Sequence, residues 1–211
     1  MGKIVLLSGA PGTGKSTLRK SLAPLVAGLQ HFDYGELLRR QKANQGTEIT
    51  YDQLREQSAS VISAHDVADM DARIIADISA LRKSSDVIID SHALTREEYG
   101  LRAIPFSARH LSTLQLDALL VLRCDPEALL ARIDADRGGR REMTVELARE
   151  IQLLQESLCL NYAVLCGCSF YVIDTTNKTT NEVKSNALSI LTKIGMTIKK
   201  EYHSSSTETM L

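Results

Sequence analysis

The most specific spacing of chemically useful residues lies near the start of the chain, in a glycine-rich run. Gly9, Gly14, Lys15 and Ser16 occupy the fixed positions of the pattern G-x-x-x-x-G-K-[ST]. Glycines let the backbone of such a loop direct successive N–H groups at phosphate oxygens, and the amino terminus of a following helix adds partial positive charge. Lys15 would contact the β- and γ-phosphates of a nucleoside triphosphate, and the Ser16 hydroxyl would coordinate Mg²⁺. The residues expected to bind ATP are Gly9, Ala10, Pro11, Gly12, Thr13, Gly14, Lys15, Ser16 and Thr17.

The segments on either side of this run have the patterns that the motif requires. Residues 3–8 form an apolar run typical of a buried strand, and residues 17–26 have a helical pattern. A glycine-rich turn that matched by chance would not be expected between a strand and a helix. The context therefore favours a phosphate-binding loop over a simple turn.

A second candidate site residue is Asp90, which ends the apolar run of residues 87–90. In proteins with this loop, an acid at the end of a neighbouring strand holds Mg²⁺, often through water. A carboxylate at a strand end can instead cap the next helix, but the hydrophobic strand before Asp90 favours the metal role. His92 follows two residues later, and contact with substrate and support of Asp90 both stay open for it.

Arginines and glycines are concentrated after a later apolar run, Ala118–Leu122. Phosphoryl transfer needs positive donors around the moving phosphoryl group and exclusion of water. A short glycine-containing lid over about residues 127–143 would supply both, whereas the alternative is an ordinary solvated charged loop. The candidate lid arginines are Arg132, Arg137, Arg140 and Arg141.

Apolar runs alternate with helical patterns along the chain, which predicts an α/β fold. We expect a three-layer α/β/α sandwich with a five-stranded parallel sheet, because strands covered on both faces are almost continuously apolar. The predicted strands are Ile4–Ser8, Leu29–Phe32, Asp86–Asp90, Ala118–Leu122 and Phe170–Ile173. The predicted helices are Ser16–Val26, Gly35–Asn44, one or two within Tyr51–Leu81, Pro126–Ala135, Thr144–Cys166 and Thr180–Ile194. A single domain over 1–196, followed by a polar, mobile tail over 197–211, is expected.

Composition limits the classes of partner that the chain could bind. The 211 residues are 44% hydrophobic and 24% charged, with a net charge of −1. This balance gives no general basic surface for nucleic acid, and no apolar run is long enough to span a bilayer. Neither a secretory leader nor a paired-cysteine spacing is recognised, so free thiols in the cytoplasm are favoured over zinc or disulfides. The cysteines are Cys124, Cys159, Cys166 and Cys168.

The order of these motifs resembles that of archaeal-type adenylate kinases. The resemblance rests on the glycine-rich loop, the segments 33–37, 51–55 and 88–96, the Asp125-Pro126-Glu127 turn and the arginine-rich lid. It implies an acceptor-binding helical segment over about 34–82, in which Tyr34 and Gly35 begin the acceptor helix. It also implies that Arg55 and Arg96 hold the acceptor phosphate, that Arg132, Arg137 and Arg140 or Arg141 act from the lid, and that Asn177 contacts adenine.

The expected activity is that of a nucleoside monophosphate kinase, with ATP and AMP giving two ADP and with Lys15, Asp90, Arg132, Arg137 and Arg141 as catalytic residues. Residues 99–106 depart from the family pattern and include Arg102, which leaves the acceptor base open. One alternative is a kinase of another small acceptor, such as a deoxynucleotide, nucleoside or sugar acid. Another is an ATP-dependent switch or assembly factor with weak hydrolysis. An oligomer is compatible with either reading.

Overall fold

The computed structural model describes residues 1–50, 53, 61–91, 94–103, 105–135 and 143–199. The predictions for Arg55, His92, Arg137, Arg140 and Arg141 therefore lie outside the described residues. The strands are β1 (Ile4–Gly9), β2 (Gln30–Asp33), β3 (Val87–Asp90), β4 (Leu94–Glu97), β5 (Gly100–Ala103), β6 (Ala118–Arg123) and β7 (Ser169–Asp174). The helices are α1 (Lys15–Leu22), α2 (Tyr34–Asn44), α3 (Ala64–Leu81), α4 (Ala108–Leu114), α5 (Pro126–Ala135), α6 (Val145–Cys166) and α7 (Thr180–Lys193).

A parallel five-stranded sheet with the order β2-β3-β1-β6-β7 forms the centre of the molecule. The chain leaves the central strand β1 on one side to build β2 and β3, and it later crosses to the other side for β6 and β7. Ligands of open α/β sheets bind at such a switch point, outside the carboxyl ends of the strands. The glycine-rich loop follows β1 directly and therefore lies at this point. The predicted sheet is confirmed.

Two apolar layers cover the two faces of this sheet. Alternate residues of β1 point to opposite faces, so that Leu6 belongs to one buried cluster and Leu7 to the other. The first cluster includes residues of α2, α3, α4 and α6, and the second includes residues of α1 and α7. Since both faces are covered, the runs in β1, β3 and β6 are nearly continuous in apolar residues.

Side chains at the helix ends fix several boundaries. Ser63 and Asp66 form a reciprocal capping box at the start of α3, and Thr179 and Glu182 form another at the start of α7. At the end of α6, Gly167 adopts a left-handed conformation with φ of 63°. These signals are local in sequence, which explains why the predicted ends of α6 and α7 differ from the observed ones by only one residue.

The structure differs from the prediction in a small hairpin and a short helix. Strands β4 and β5 pair antiparallel, with Arg96 opposite Leu101 and Thr95 opposite Arg102. Their sequences are polar and lack a long apolar alternation, so the pattern did not identify them as strands. Helix α4 has only seven residues, and Ser107 caps it through its hydroxyl.

Residues 197–199 lie against the turn after α1. The Ala27 N–H donates to the Thr197 carbonyl at 2.9 Å, and the Lys199 N–H donates to the Leu25 carbonyl at 2.9 Å. The polar tail was predicted to begin at residue 197, and its part over 200–211 lies outside the described residues. Among the described helices, none combines the length and the apolar character needed to cross a membrane.

Candidate active site

Glycines with left-handed backbone angles shape the loop between β1 and α1. Gly9 has φ of +143°, and a Cβ at this position would lie 2.6 Å from the Leu122 carbonyl oxygen on β6. Gly12 and Gly14 have φ of 88° and 98°. Because side chains at these angles are strained, and because a Cβ on Gly9 would collide with β6 backbone, the loop conformation depends on glycine.

Lys15 and Thr13 hold this loop closed through main-chain oxygens. The Lys15 ammonium donates to the Gly9 carbonyl at 2.5 Å and to the Ala10 carbonyl at 3.3 Å. The fully buried Thr13 donates its hydroxyl to the Ala10 carbonyl at 2.8 Å. No side chain caps α1 at Gly14, so N–H groups of its first turn stay available to an anion. Ser16 lies exposed in this turn.

Asp90 lies at the carboxyl end of β3, and its register partner on β2 is Asp33. Asp90 is only 7% exposed. Burial raises the pKa of Asp90, the nearby Lys15 ammonium opposes this rise, the Asp33 carboxylate adds to it and the Arg19 guanidinium opposes it. Arg19, on α1, bridges the two acids: its Nη2 is 3.0 Å from Asp33 Oδ2, and its Nε is 3.8 Å from Asp90 Oδ2.

The oxygen ligands at this edge fit Mg²⁺. The exposed Ser16 hydroxyl and the buried Asp90 carboxylate are hard oxygen donors, and Mg²⁺ commonly takes one or two of these together with water and substrate phosphates. No group of three or more His, Cys, Asp or Glu residues that could enclose a metal exists among the described residues. A Mg²⁺ ion at this edge would therefore need water and substrate phosphates to complete its coordination.

A cavity of about 310 Å³ adjoins the phosphate loop on the side of α5 and α7. Arg132 forms part of its wall and is fixed by Thr175: Nη1 donates to the Thr175 hydroxyl at 3.0 Å and Nη2 to the Thr175 carbonyl at 2.7 Å. These two bonds hold the guanidinium at the cavity wall. The lining residues are Gly12, Thr13, Gly14, Thr17, Leu18, Arg132, Thr175, Lys178, Thr180 and Val183.

Asn177 lies in the loop after β7 but does not line that cavity. It is exposed and has a φ of 51°, whereas its neighbours Thr175 and Lys178 do line the cavity. The predicted contact of Asn177 with adenine stays a prediction. The predicted action of Arg132 on the transferred phosphoryl group also stays a prediction.

The acceptor side begins at the carboxyl end of β2. Asp33 caps α2 by accepting the Glu36 N–H at 3.1 Å, and Gly35 lies half-buried in the first helical turn. The Tyr34 hydroxyl donates to buried Asp71 on α3, which also bonds His110 Nδ1 on α4 at 2.9 Å. Burial, followed by the Asp71 carboxylate, raises the pKa of Tyr34. Burial also raises the pKa of Asp71 against the opposing bonds from Tyr34 and His110.

Aromatic packing supports the start of this helix. The Phe106 ring lies 5.9 Å from the Tyr34 ring in an edge-to-face arrangement and 5.9 Å from the Tyr162 ring. The Tyr162 hydroxyl accepts the Phe106 N–H at 2.9 Å. Tyr34 is thus held inside the protein, and its assignment as a substrate-binding residue stays a prediction.

Arg96 shares one face of the β4–β5 hairpin with two leucines. Strand alternation and the pairing of Arg96 with Leu101 put both residues on the same face as Leu94. Leu94 and Leu101 pack in one cluster with Ala10 of the phosphate loop and with apolar residues of α5 and α6. This placement agrees with the expected role of Arg96 in holding a phosphate, which stays a prediction.

Sequence analysis missed the side chains that connect these parts. Arg19 gave no signal, because one basic residue in an amphipathic helix is ordinary. Asp71 and His110 lie 39 residues apart, and only the packing of α3 against α4 brings them together. Thr175 lies two residues before Asn177, and nothing in the sequence marks its hydroxyl as a partner of Arg132.

Comparisons with known proteins agree with this geometry. A family model described as "AAA domain" matches residues 8–150. The adenylate kinase of Methanopyrus kandleri is 24% identical over 178 residues, which cover 82% of this chain and 90% of that protein. The adenylate kinase of Methanococcus vannielii is 24% identical over 194 residues, covering 89% of this chain and 97% of that protein.

Solved structures show the same fold at lower sequence identity. The structure of shikimate kinase from Acinetobacter baumannii in complex with shikimate superposes with a TM-score of 0.58 at 16% identity, covering 92% of this chain and 94% of that one. This likeness confirms the α/β fold with a phosphate-binding loop. The family match and the archaeal relatives confirm the predicted likeness to archaeal-type adenylate kinases and the predicted phosphotransferase class.

Proposed function

The chain belongs to the AAA domain family, and on that premise we propose that it is an ATP-dependent nucleoside monophosphate kinase whose acceptor is AMP. One observation carries this proposal. The phosphate loop after β1 and the start of the acceptor helix after β2 lie at the same sheet edge, on either side of Asp90. An enzyme that joins two anionic nucleotides needs two such binding regions with a shared reaction centre between them.

ATP binds with its phosphates in the loop and its base in the cavity beside Arg132. The loop N–H groups and the first turn of α1 surround the phosphates, and Lys15 moves from the carbonyls of Gly9 and Ala10 to the β- and γ-phosphates. The guanidinium of Arg132 packs against the base, since two bonds to Thr175 hold it at the cavity wall.

Mg²⁺, when bound, neutralises the β- and γ-phosphate oxygens. Ser16 would hold it directly and Asp90 through water. Arg19 Nε lies 3.8 Å from Asp90 Oδ2 and adds positive charge beside the carboxylate. Burial raises the pKa of Asp90, and the positive charges of Lys15 and Arg19 oppose that rise.

Transfer proceeds in line from ATP to the acceptor. A phosphate oxygen of AMP attacks the γ-phosphorus, the bond from the γ-phosphorus to the β–γ bridging oxygen breaks, and the electron pair stays on the departing ADP. The products are two ADP molecules. Lys15 stabilises the charge that develops during transfer, and Arg96 holds the acceptor phosphate. Arg55, Arg137 and Arg141 complete the positive surroundings in this proposal.

A product-resolved transfer assay tests the function. The protein is incubated with Mg-ATP and with each ribo- and deoxyribonucleoside monophosphate, and nucleotide products are separated by chromatography. Diphosphate formed from AMP in preference to the others supports the proposal. Preference for another monophosphate would retain the mechanism and replace AMP, as the altered stretch with Arg102 permits. Transfer only to an alcohol such as a nucleoside or sugar acid, or ATP hydrolysis without transfer, would overturn it.

A further inference from the structure

Three glutamines of the described residues are almost fully buried, and their side-chain amides differ in what they contact. Gln152 and Gln155 lie on α6 and are 5% and 2% exposed. Gln152 Oε1 accepts the Cys124 N–H at 2.8 Å, and Gln155 Nε2 donates to the Ser8 hydroxyl at 2.8 Å. Gln41, on α2, is 4% exposed, and neither its Oε1 nor its Nε2 has a hydrogen-bond partner among the described residues.

A buried amide without hydrogen-bond partners lowers the stability of the folded protein, because it loses its hydrogen bonds to water and gains none inside the protein. Most buried polar side-chain atoms in native proteins have a hydrogen-bond partner, so a buried amide whose oxygen and nitrogen both lack one needs an explanation. Methionine or leucine would fill a similar volume without this penalty. We therefore expect a bound ligand to supply the hydrogen-bond partners of the Gln41 amide.

The position of Gln41 on α2 indicates what that partner is. Tyr34, Leu38 and Gln41 are spaced as one helical face, and all three are buried. This face begins at the carboxyl end of β2, where the acceptor phosphate is expected beside Arg96. Gln41 lies seven residues further along, roughly 10 Å at 1.5 Å per residue. A nucleotide with its phosphate at the strand end would place its base along this helix.

We propose that Gln41 recognises the base of the acceptor nucleotide, its amide pairing with the amino group and the adjacent ring nitrogen of adenine. The inference rests on the proposed function and assigns a residue that determines its specificity. A glutamine amide presents one donor and one acceptor side by side, which match these two atoms of adenine. Gln41 is 4% exposed and shares the buried face of α2 with Leu38, so water competes weakly for these bonds.

The test compares AMP with the 5′-monophosphate of purine riboside, which lacks only the 6-amino group. The wild-type protein should favour AMP by about ten- to a hundredfold in kcat/KM. Gln41→Met should reduce this preference to about twofold or less, while KM for ATP stays unchanged. Gln41→Asn keeps the amide on a shorter side chain and should give an intermediate preference.

Thermal unfolding supplies the readout that a merely structural role would not give. Gln41→Met should leave the midpoint temperature of unfolding unchanged or raise it, because the substitution removes an amide without hydrogen-bond partners. The matched variant Gln155→Met should lower the midpoint by several degrees, because it leaves the Ser8 hydroxyl without its donor. A fall in stability for both variants, or an unchanged AMP preference in Gln41→Met, would overturn the assignment of Gln41.

Failure of this inference can be distinguished from failure of the proposed function. A wild-type protein that transfers phosphate to AMP and to the purine analogue equally well overturns the role of Gln41 and leaves the kinase intact. A wild-type protein that binds ATP but transfers to no monophosphate overturns both.

Discussion

The donor and acceptor sides of this site are built by different means. On the donor side, contiguous residues of one loop hold each other through backbone conformation and main-chain hydrogen bonds, as Lys15 and Thr13 do with carbonyls of residues 9 and 10. On the acceptor side, helix α2 is fixed by side chains from separate elements, through Arg19 to Asp33 and through Asp71 and His110 to Tyr34. The donor side is therefore held by contacts within one loop, and the acceptor side is held by contacts between residues that are distant in sequence.

This difference predicts that donor-side changes damage transfer or ATP binding, while acceptor-side changes mainly weaken acceptor binding. The largest effect is expected for Lys15→Met, which should reduce kcat/KM about a thousandfold, because charge that develops on the phosphoryl group loses its main cation. Steady-state kinetics with both substrates measure this loss. Lys20→Met, an exposed lysine on the same helix, is the control and should change little. Equal activity of the two variants would contradict the mechanism.

Arg132→Lys examines the cavity side of the donor site. Lysine cannot reproduce the paired bonds to the Thr175 hydroxyl and carbonyl or present a planar surface to a base, so KM for ATP should rise about tenfold. KM for the acceptor should stay within about twofold. Arg123→Lys is the control, since Arg123 is half exposed and its ion pair with Glu156, at 3.8 Å, is long and weak. If Arg132→Lys instead raised KM for the acceptor, the assignment of Arg132 to the donor site would be contradicted.

Tyr34→Phe examines the acceptor side. Removal of the hydroxyl leaves Asp71 with only its bond to His110, which should loosen the start of α2 and raise KM for the acceptor roughly five- to tenfold. KM for ATP should not change. Tyr99→Phe, at a tyrosine that is 71% exposed, supplies the control. If Tyr34→Phe raised both KM values equally, the two sides would not be separate in the way described.

The features that could be predicted from the sequence follow the same division between the donor side and the acceptor side. The loop, its flanking elements and Asp90 were predicted because their signals are local and the sheet places them by its topology. The hairpin of β4 and β5 was missed because its pattern is polar and short. Arg19 and His110 could not be predicted as site residues, since their roles depend on which elements pack together. The adenine contact of Asn177 stays a prediction, since its neighbours Thr175 and Lys178 line the cavity while Asn177 does not.

The smallest effect is expected at the beginning of α3, which packs against the acceptor helix. Lys42 on α2 bonds Asp66 at 2.6 Å, and this bond, with those from Ser63, lowers the pKa of Asp66 to about 2. Because the folded-state pKa lies below the usual 3.8, the stabilisation is fully present above about pH 4 and is lost as the pH falls towards 2. Asp66→Asn should therefore reduce the free energy of unfolding by roughly 1–2 kcal/mol at pH 7, and this difference from wild type should shrink near pH 2.

Denaturant titrations at the two pH values measure that difference, with Asp69→Asn as the control on the exposed face of α3. If the acceptor helix depends on distant contacts, the loss of the Lys42–Asp66 bond should also raise KM for the acceptor slightly while the ATP-binding loop is unaffected. A stability difference that was constant from pH 7 to pH 2 would show that the carboxylate charge is not what joins α2 to α3. The acceptor helix would then depend on Asp33, Tyr34 and apolar packing alone.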